Sequence, residues 1–165
     1  MAAPEEELAK LCTSCGFCCD GTLFRAALLR PHELERAKRI GLRVLDDKGF
    51  EFPCPQLKER TCQVYEERPH ICRSFICKLL ARHRDEGGPI ELRLRSIERV
   101  HELSKQLQPF GFERTRTGDV KFAAEGPDAY LAMELMSELM NLLEENFTRA
   151  PHEQAPPADD PGSAG

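Results

Sequence analysis

All eight cysteines of this 165-residue chain, Cys12, Cys15, Cys18, Cys19, Cys54, Cys62, Cys72 and Cys77, lie within residues 12–77, and the other 99 residues hold none. They make up about 12% of that segment, above the ~8–10% that marks a cysteine-scaffolded stretch. Such a segment is organised by what its thiols bind, either one another or a metal. The opening MAAPEEELAKLC has neither the basic nor the apolar region of a secretory signal, so a reducing, cytoplasmic setting is expected. A disulfide scaffold would need an oxidising compartment and would have to select one of 105 pairings. Metal binding is therefore the expected use of the thiols.

The first four read C-x-x-C-x-x-C-C. Two intervening residues let a tight turn containing Gly16 aim two thiolates at one ion with Zn–S bonds of ~2.3 Å. The same run has the ligand spacing of small ferredoxins, in which a distant Cys-Pro adds a ligand, and Cys54-Pro55 is such a dipeptide. Adjacent Cys18 and Cys19 point apart in either helix or strand. Two centres, or one multinuclear centre, accommodate them more easily than one mononuclear site. The C-x-x-x-C-x-x-C spacing of radical-SAM clusters is absent.

Cys54, Cys62, Cys72 and Cys77 are separated by seven, nine and four residues, none of them a standard zinc-finger interval. Between them stand Arg68 and Arg73. Four thiolates on a divalent ion carry net negative charge, and guanidinium groups nearby would offset it and donate N–H bonds.

C-x-x-C-x-x-C-C, then Cys54-Pro55, then Cys62 followed by Val64-Tyr65-Glu66-Glu67-Arg68-Pro69, Cys72-Arg73 and Phe75, resembles the cysteine-cluster family also called YkgJ-like, a zinc- or iron-chelating CxxCxxCC domain. The resemblance spans about residues 12–77. It implies a metal-binding domain holding zinc or iron, a 4Fe–4S cluster included, with a structural or metal-handling role. Some members are labelled iron–sulfur oxidoreductases, and a related domain occurs in flagellin lysine N-methylases. An iron–sulfur oxidoreductase or protein-modifying enzyme is thus a second reading, resting on resemblance alone and with no catalytic residue to name. A zinc-organised module for binding protein or nucleic acid is a third. His70, the histidine lying between ligand cysteines, falls at a variable position of the family pattern.

Charge gives the third reading little support. Net charge is −5 overall, with +4 over residues 58–117 and −8 over residues 118–165. A +4 stretch is thin for a phosphate-binding face, and with no tryptophan and two tyrosines there is little for bases to stack on. Nucleic acid is disfavoured as a partner, a protein partner is left open, and the oligomeric state is unspecified. No run approaches the ~20 apolar residues of a membrane span. Phosphate loops, G-x-S-x-G, H-E-x-x-H and dinucleotide fingerprints are all missing.

The pattern predicts a mainly α fold with short irregular or β hairpins: a metal-organised cysteine region over residues 1–86, a helical region over 87–149 packed on it, and a disordered tail over 150–165. Pro4 and three glutamates start a helix that runs toward Leu11. Pro31 opens another that stops before Gly41. Residues 43–52 read as a hairpin. A third helix starts near Pro69 and continues to about residue 84. On a regular helix Cys72 and Cys77 would diverge by about 140°, so either one leaves the helix or they serve different metals. After Gly87-Gly88-Pro89, a helix over 90–107 carries Ile90, Leu94, Ile97, Val100, Leu103 and Leu107 on one face. A hairpin is expected around Thr117-Gly118. A last helix over 127–148 is expected to bury Leu131, Leu135, Leu139 and Leu142, with Met133, Met136 and Met140 broadening the stripe.

Overall fold

The computed structural model describes residues 4–114, 120–121, 123 and 125–150. The fold is mainly α, with short antiparallel hairpins and packed C-terminal helices, as the pattern predicts. Helix α1 (Glu5–Cys15) follows Pro4 and carries Glu5, Glu6 and Glu7 in its first turn, at the positive end of the dipole. It runs a full turn beyond the expected stop at Leu11. Leu11 and Cys15 sit four apart on one face and both pack into the main core, so that turn is held by tertiary contact. Gly16, at φ 73°, ends the helix, and its N–H donates to the Cys12 carbonyl at 3.2 Å.

Two apolar cores form. In the larger, α1, α4 (Lys78–Glu86), α5 (Ile90–Leu107) and α6 (Pro127–Asn146) surround Leu11, Phe17, Leu79, Ile97, Val100, Leu103, Leu139 and Phe147. The smaller lies between α2 (Leu34–Arg39) and a three-stranded antiparallel sheet ordered β1 (Ala26–Leu28), β3 (Gly49–Glu51), β2 (Val44–Leu45). Phe50 and Phe52 fill it from β3 and its exit, against Ala37, Ile40 and Leu42. The β2–β3 hairpin is the expected one. Strand β1 is an addition, and it crosses so closely that a Cβ at Gly49 would fall 2.5 Å from the Ala27 carbonyl oxygen. Strands β4 (Leu57–Lys58) and β5 (Thr61–Cys62) make a separate hairpin.

The expected third helix is two helices, α3 (His70–Ser74) and α4. Phe75 between them is extended, and its ring is taken edge-on by Phe24 at 4.9 Å. The backbone around the break pairs with the chain leaving α6: the Lys78 N–H donates to the Thr148 carbonyl and the Ala150 N–H to the Ile76 carbonyl. Tertiary bonds thus replace the helical ones. Cys77 leaves the helix and caps α4.

Helix α5 occupies the predicted span and buries the predicted stripe, with Leu94 partly buried. Helix α6 begins at Pro127, but its buried face is Ala132, Met136, Leu139 and Leu143, not the leucine line alone. Leu131 and Met133 are 48% and 56% exposed. Ala132 lets the two helices approach closely, which turns Leu131 outward. Strands β6 (Glu113–Arg114) and β7 (Val120–Lys121) pair where the last hairpin was expected; its turn at Thr117-Gly118 lies outside the described residues. So does the expected tail, apart from Ala150.

Glu33, buried at 2% exposure, ties the sheet layer to α3. Its Oε1 accepts from the His70 N–H at 2.6 Å and from Arg36 at 3.0 Å, and its Oε2 accepts from the Arg30 N–H. Burial pushes this carboxyl up, but the His70 and Arg30 N–H groups and the Arg36 guanidinium outweigh it and hold it below its ordinary 4.5. A depressed carboxyl contributes stability above the ordinary value and loses it as pH falls through the folded one. Glu33→Gln is expected to cost on the order of 1–3 kcal/mol at pH 7. Urea melts as a function of pH should show the gap to the parent closing below 4.5.

Candidate metal centre

The eight cysteines are all free thiols; Cys12 is exposed and the other seven are half-buried. Four of them divide between the two cores. Cys12 and Cys15 lie three apart on the last turn of α1, so both thiols leave the same side of the helix. Helix α4 packs on α1 and brings its capping residue Cys77 to that side. The Cys77 Sγ accepts from the Leu80 N–H at 3.5 Å. Past Gly16, Phe17 drops its ring into the main core against Phe147 (centroids 5.1 Å apart) and His101 (4.5 Å). The chain then turns, with the Cys19 and Asp20 N–H groups bonded to the Gly16 carbonyl, and the thiols acting on Cys18 are, in order, Cys15, Cys77, Cys19 and Cys12.

The thiols acting most on Cys19 are Cys54 and Cys62. The N–H of Cys54 donates to the Cys19 carbonyl at 2.7 Å. Cys62 stands across the β4–β5 hairpin from Leu57, whose N–H donates to the Cys54 carbonyl. Cys72, on α3, packs with Cys54 against the smaller core, as Cys15 and Cys77 pack against the larger.

Burial pushes the Cys12 thiol up to about 11, with Cys77 adding to the rise. Burial also raises Cys15, against the Phe17 N–H and with Cys77 and Cys12 adding, and raises Cys18, with Cys15, Cys77, Cys19 and Cys12 adding in that order. Cys19 is pushed up to about 12, first by burial and then by Cys54 and Cys62, and Cys72 to about 12, first by burial and then by Cys19, Cys54 and Cys62. Burial raises Cys54 too, with Cys62 adding and the Gln56 N–H, Arg43 and the Leu57 N–H opposing. Burial raises Cys77 against the Leu80 and Leu79 N–H groups and Arg82. Thiols so placed are neutral at neutral pH, and an ion entering among them must displace their protons.

Of the two arginines singled out in the sequence, Arg68 stands at the centre. Its charge acts on Cys12 of one set and on Cys19 and Cys72 of the other. It is fixed there by the Tyr65 ring, 3.6 Å beneath the guanidinium, and by a 2.9 Å bond from Nε to the Tyr65 carbonyl. Arg73 is exposed on α3. Arg43, Arg82 and Asp20 also act on the thiols and had no sequence signal. Arg43 reaches the cysteine loop from the sheet, bonding the Pro53 carbonyl and pairing with Glu51 at 3.1 Å.

A family model described as "Putative zinc- or iron-chelating domain", CxxCxxCC, matches residues 11–106, more than half of the chain. The chain belongs to this family. The CxxCxxCC match passes the last cysteine and ends one residue short of the α5 terminus, so it takes in the helix on which α1 packs. No curated protein and no solved structure matches the chain. No helix among the described residues is long and apolar enough to cross a membrane.

The thiols suit the metals in the CxxCxxCC description: they are soft donors and none is in a disulfide. As they stand, no three Cys, His, Asp or Glu side chains among the described residues converge to grip an ion.

Proposed function

We propose that this protein holds zinc or iron through Cys12, Cys15, Cys18, Cys19, Cys54, Cys62, Cys72 and Cys77, with the metal organising the first half of the chain. The observation carrying this reading is that the fold brings free thiols far apart in the chain close to one another, Cys12 to Cys77 and Cys19 to Cys54 and Cys72. Thiols crowded in this way raise one another's ionisation cost, and folding gains nothing from that unless something else binds them. A thiophilic cation would displace their protons and hold the resulting thiolates together. Arg68, clamped on Tyr65, would offset part of the remaining negative charge of both sets, with Arg73 a weaker contributor from the surface.

Anaerobic purification followed by analysis of zinc, iron and acid-labile sulfide per chain tests the reading. Metal in stoichiometric amount is the expected result. Zinc without colour would make the role structural. Iron with matching sulfide and a brown colour would turn the search to redox substrates. A chain that takes up neither metal, as isolated or after reconstitution, would overturn the proposal.

A further inference from the structure

We infer that the eight cysteines form two separate four-thiolate centres, one of Cys12, Cys15, Cys18 and Cys77, the other of Cys19, Cys54, Cys62 and Cys72. This deepens the metal-binding reading and rests on it. The first set belongs to the helical core: the last turn of α1, the loop after it and the cap of α4. The second belongs to the sheet core: the loop beside Cys54, the β4–β5 hairpin and α3. Cys18 and Cys19 are neighbours in the chain and part there. Cys18 follows the Gly16 turn and is acted on first by Cys15 and Cys77, with its neighbour Cys19 after them, while the Cys19 backbone is bonded to Cys54 and its thiol is acted on by Cys54 and Cys62. Adjacent residues face opposite ways without strain, which removes the difficulty that a single mononuclear site would have with a Cys-Cys pair.

Each set also holds backbone donors aimed at sulfur. The N–H groups of Phe17 and Leu80 face the sulfurs of Cys15 and Cys77, and those of Gln56 and Leu57 face Cys54. Such N–H donors stabilise a metal-bound thiolate rather than a thiol, whose sulfur is a weak acceptor. Four thiolates are the donor set of a closed tetrahedral site, which the side chains would complete on binding the ion.

Cobalt(II), which reports sulfur ligation by its charge-transfer and ligand-field bands, is the probe. The full chain, freed of metal under reducing conditions, is expected to take up two equivalents with four-sulfur spectra. Double variants then test membership. Cys15→Ala/Cys77→Ala and Cys54→Ala/Cys72→Ala should each keep one four-sulfur cobalt. Cys15→Ala/Cys72→Ala should keep none. Cys18→Ala paired with Cys15→Ala should keep one, and Cys19→Ala paired with Cys15→Ala should keep none. A cross-set pair retaining a four-sulfur cobalt, or a single replacement abolishing both equivalents, would overturn the division. If a variant fails to fold, cadmium-113 NMR of the unaltered chain decides. Two resonances without cadmium–cadmium coupling support two centres, and coupling through shared sulfur refutes them. A parent chain that binds neither cobalt nor cadmium would sink the metal-binding reading itself, a failure distinct from metal bound with the wrong partition.

Discussion

Removing metal with a high-affinity chelator under reducing conditions is expected to unfold the sheet layer while leaving helices α5 and α6 largely formed. The reason is the size of the two cores. Among the described residues the helical core has thirteen buried apolar residues on four helices and a loop, whereas the sheet core has five, served by strands of two or three residues. A two- or three-residue strand pair has little stability of its own. A structural zinc site contributes on the order of 10–16 kcal/mol in small peptides, against the ~5–15 kcal/mol net stability of a whole domain. Loss of even a third of such a contribution would lower the melting temperature by on the order of 10 °C or more in a chain of this size. Amide hydrogen exchange is the measurement that localises the effect. Protection over residues 20–76 should fall toward that of an open chain while residues 90–107 and 132–143 keep theirs. Uniform loss across the chain would contradict the two-core account, and unchanged protection would contradict a structural metal. Arg68→Ala should release metal to the same chelator several-fold faster than the parent, and an unchanged rate would remove Arg68 from its shared role.

The second large effect is expected at Phe17. Its ring is 1% exposed, wedged edge-on against Phe147 and tilted against His101, while its backbone lies between Cys15 and Cys18. Phe17→Ala empties a fully buried aromatic site, which costs about 3–5 kcal/mol. The same ring anchors the loop between Cys15 and Cys18, so the loss should not stop at packing. Denaturant melts of the metal-free protein should show the cavity cost. Metal titration should then show weaker binding at the helical set than at the sheet set. Phe17→Leu keeps most of the volume and should recover most of both. If Phe17→Ala lowered stability without touching metal affinity, the ring would be core alone.

Periodicity and punctuation explain what could be read from the chain directly. Helix α5 follows Pro89 and repeats its apolar residues without interruption, so its limits and buried face were legible. Helix α6 was legible as an element but not in its rotation, because choosing between Leu131 and Ala132 depends on how closely α5 approaches. The break at Phe75 left no local trace. It arises from the Phe24 ring and from backbone bonds to residues after α6, more than 70 positions downstream. Strand β1, Ala-Ala-Leu, has no alternation to betray it. At the candidate site, residue type and spacing marked all eight cysteines and Arg68. What they could not suggest was the partition proposed above, since the interval between Cys15 and Cys77 reads no differently from that between Cys19 and Cys72. That distinction exists only once α4 lies against α1 and the hairpin lies against the Cys19 loop. Arg43 and Arg82 escaped notice for the same reason: each arrives from an element whose packing, not its sequence neighbourhood, brings it to the sulfur.

The junction at Cys18 and Cys19 has a mechanical consequence. If the two sets are separate centres, the helical body and the sheet body are joined at two places: the stretch around Phe75, and the planar peptide unit between Cys18 and Cys19, with ~3.8 Å between its Cα atoms and no rotation allowed within it. With an ion held on each side, that unit is gripped at both ends and the two bodies turn as one. With only one side loaded, the grip is released at one end and the Phe75 stretch carries the connection. Metal occupancy would then set the stiffness of the whole molecule, and a sensor of shape, such as small-angle scattering or a pair of fluorophores, would read partial loading as a loosening that circular dichroism does not register.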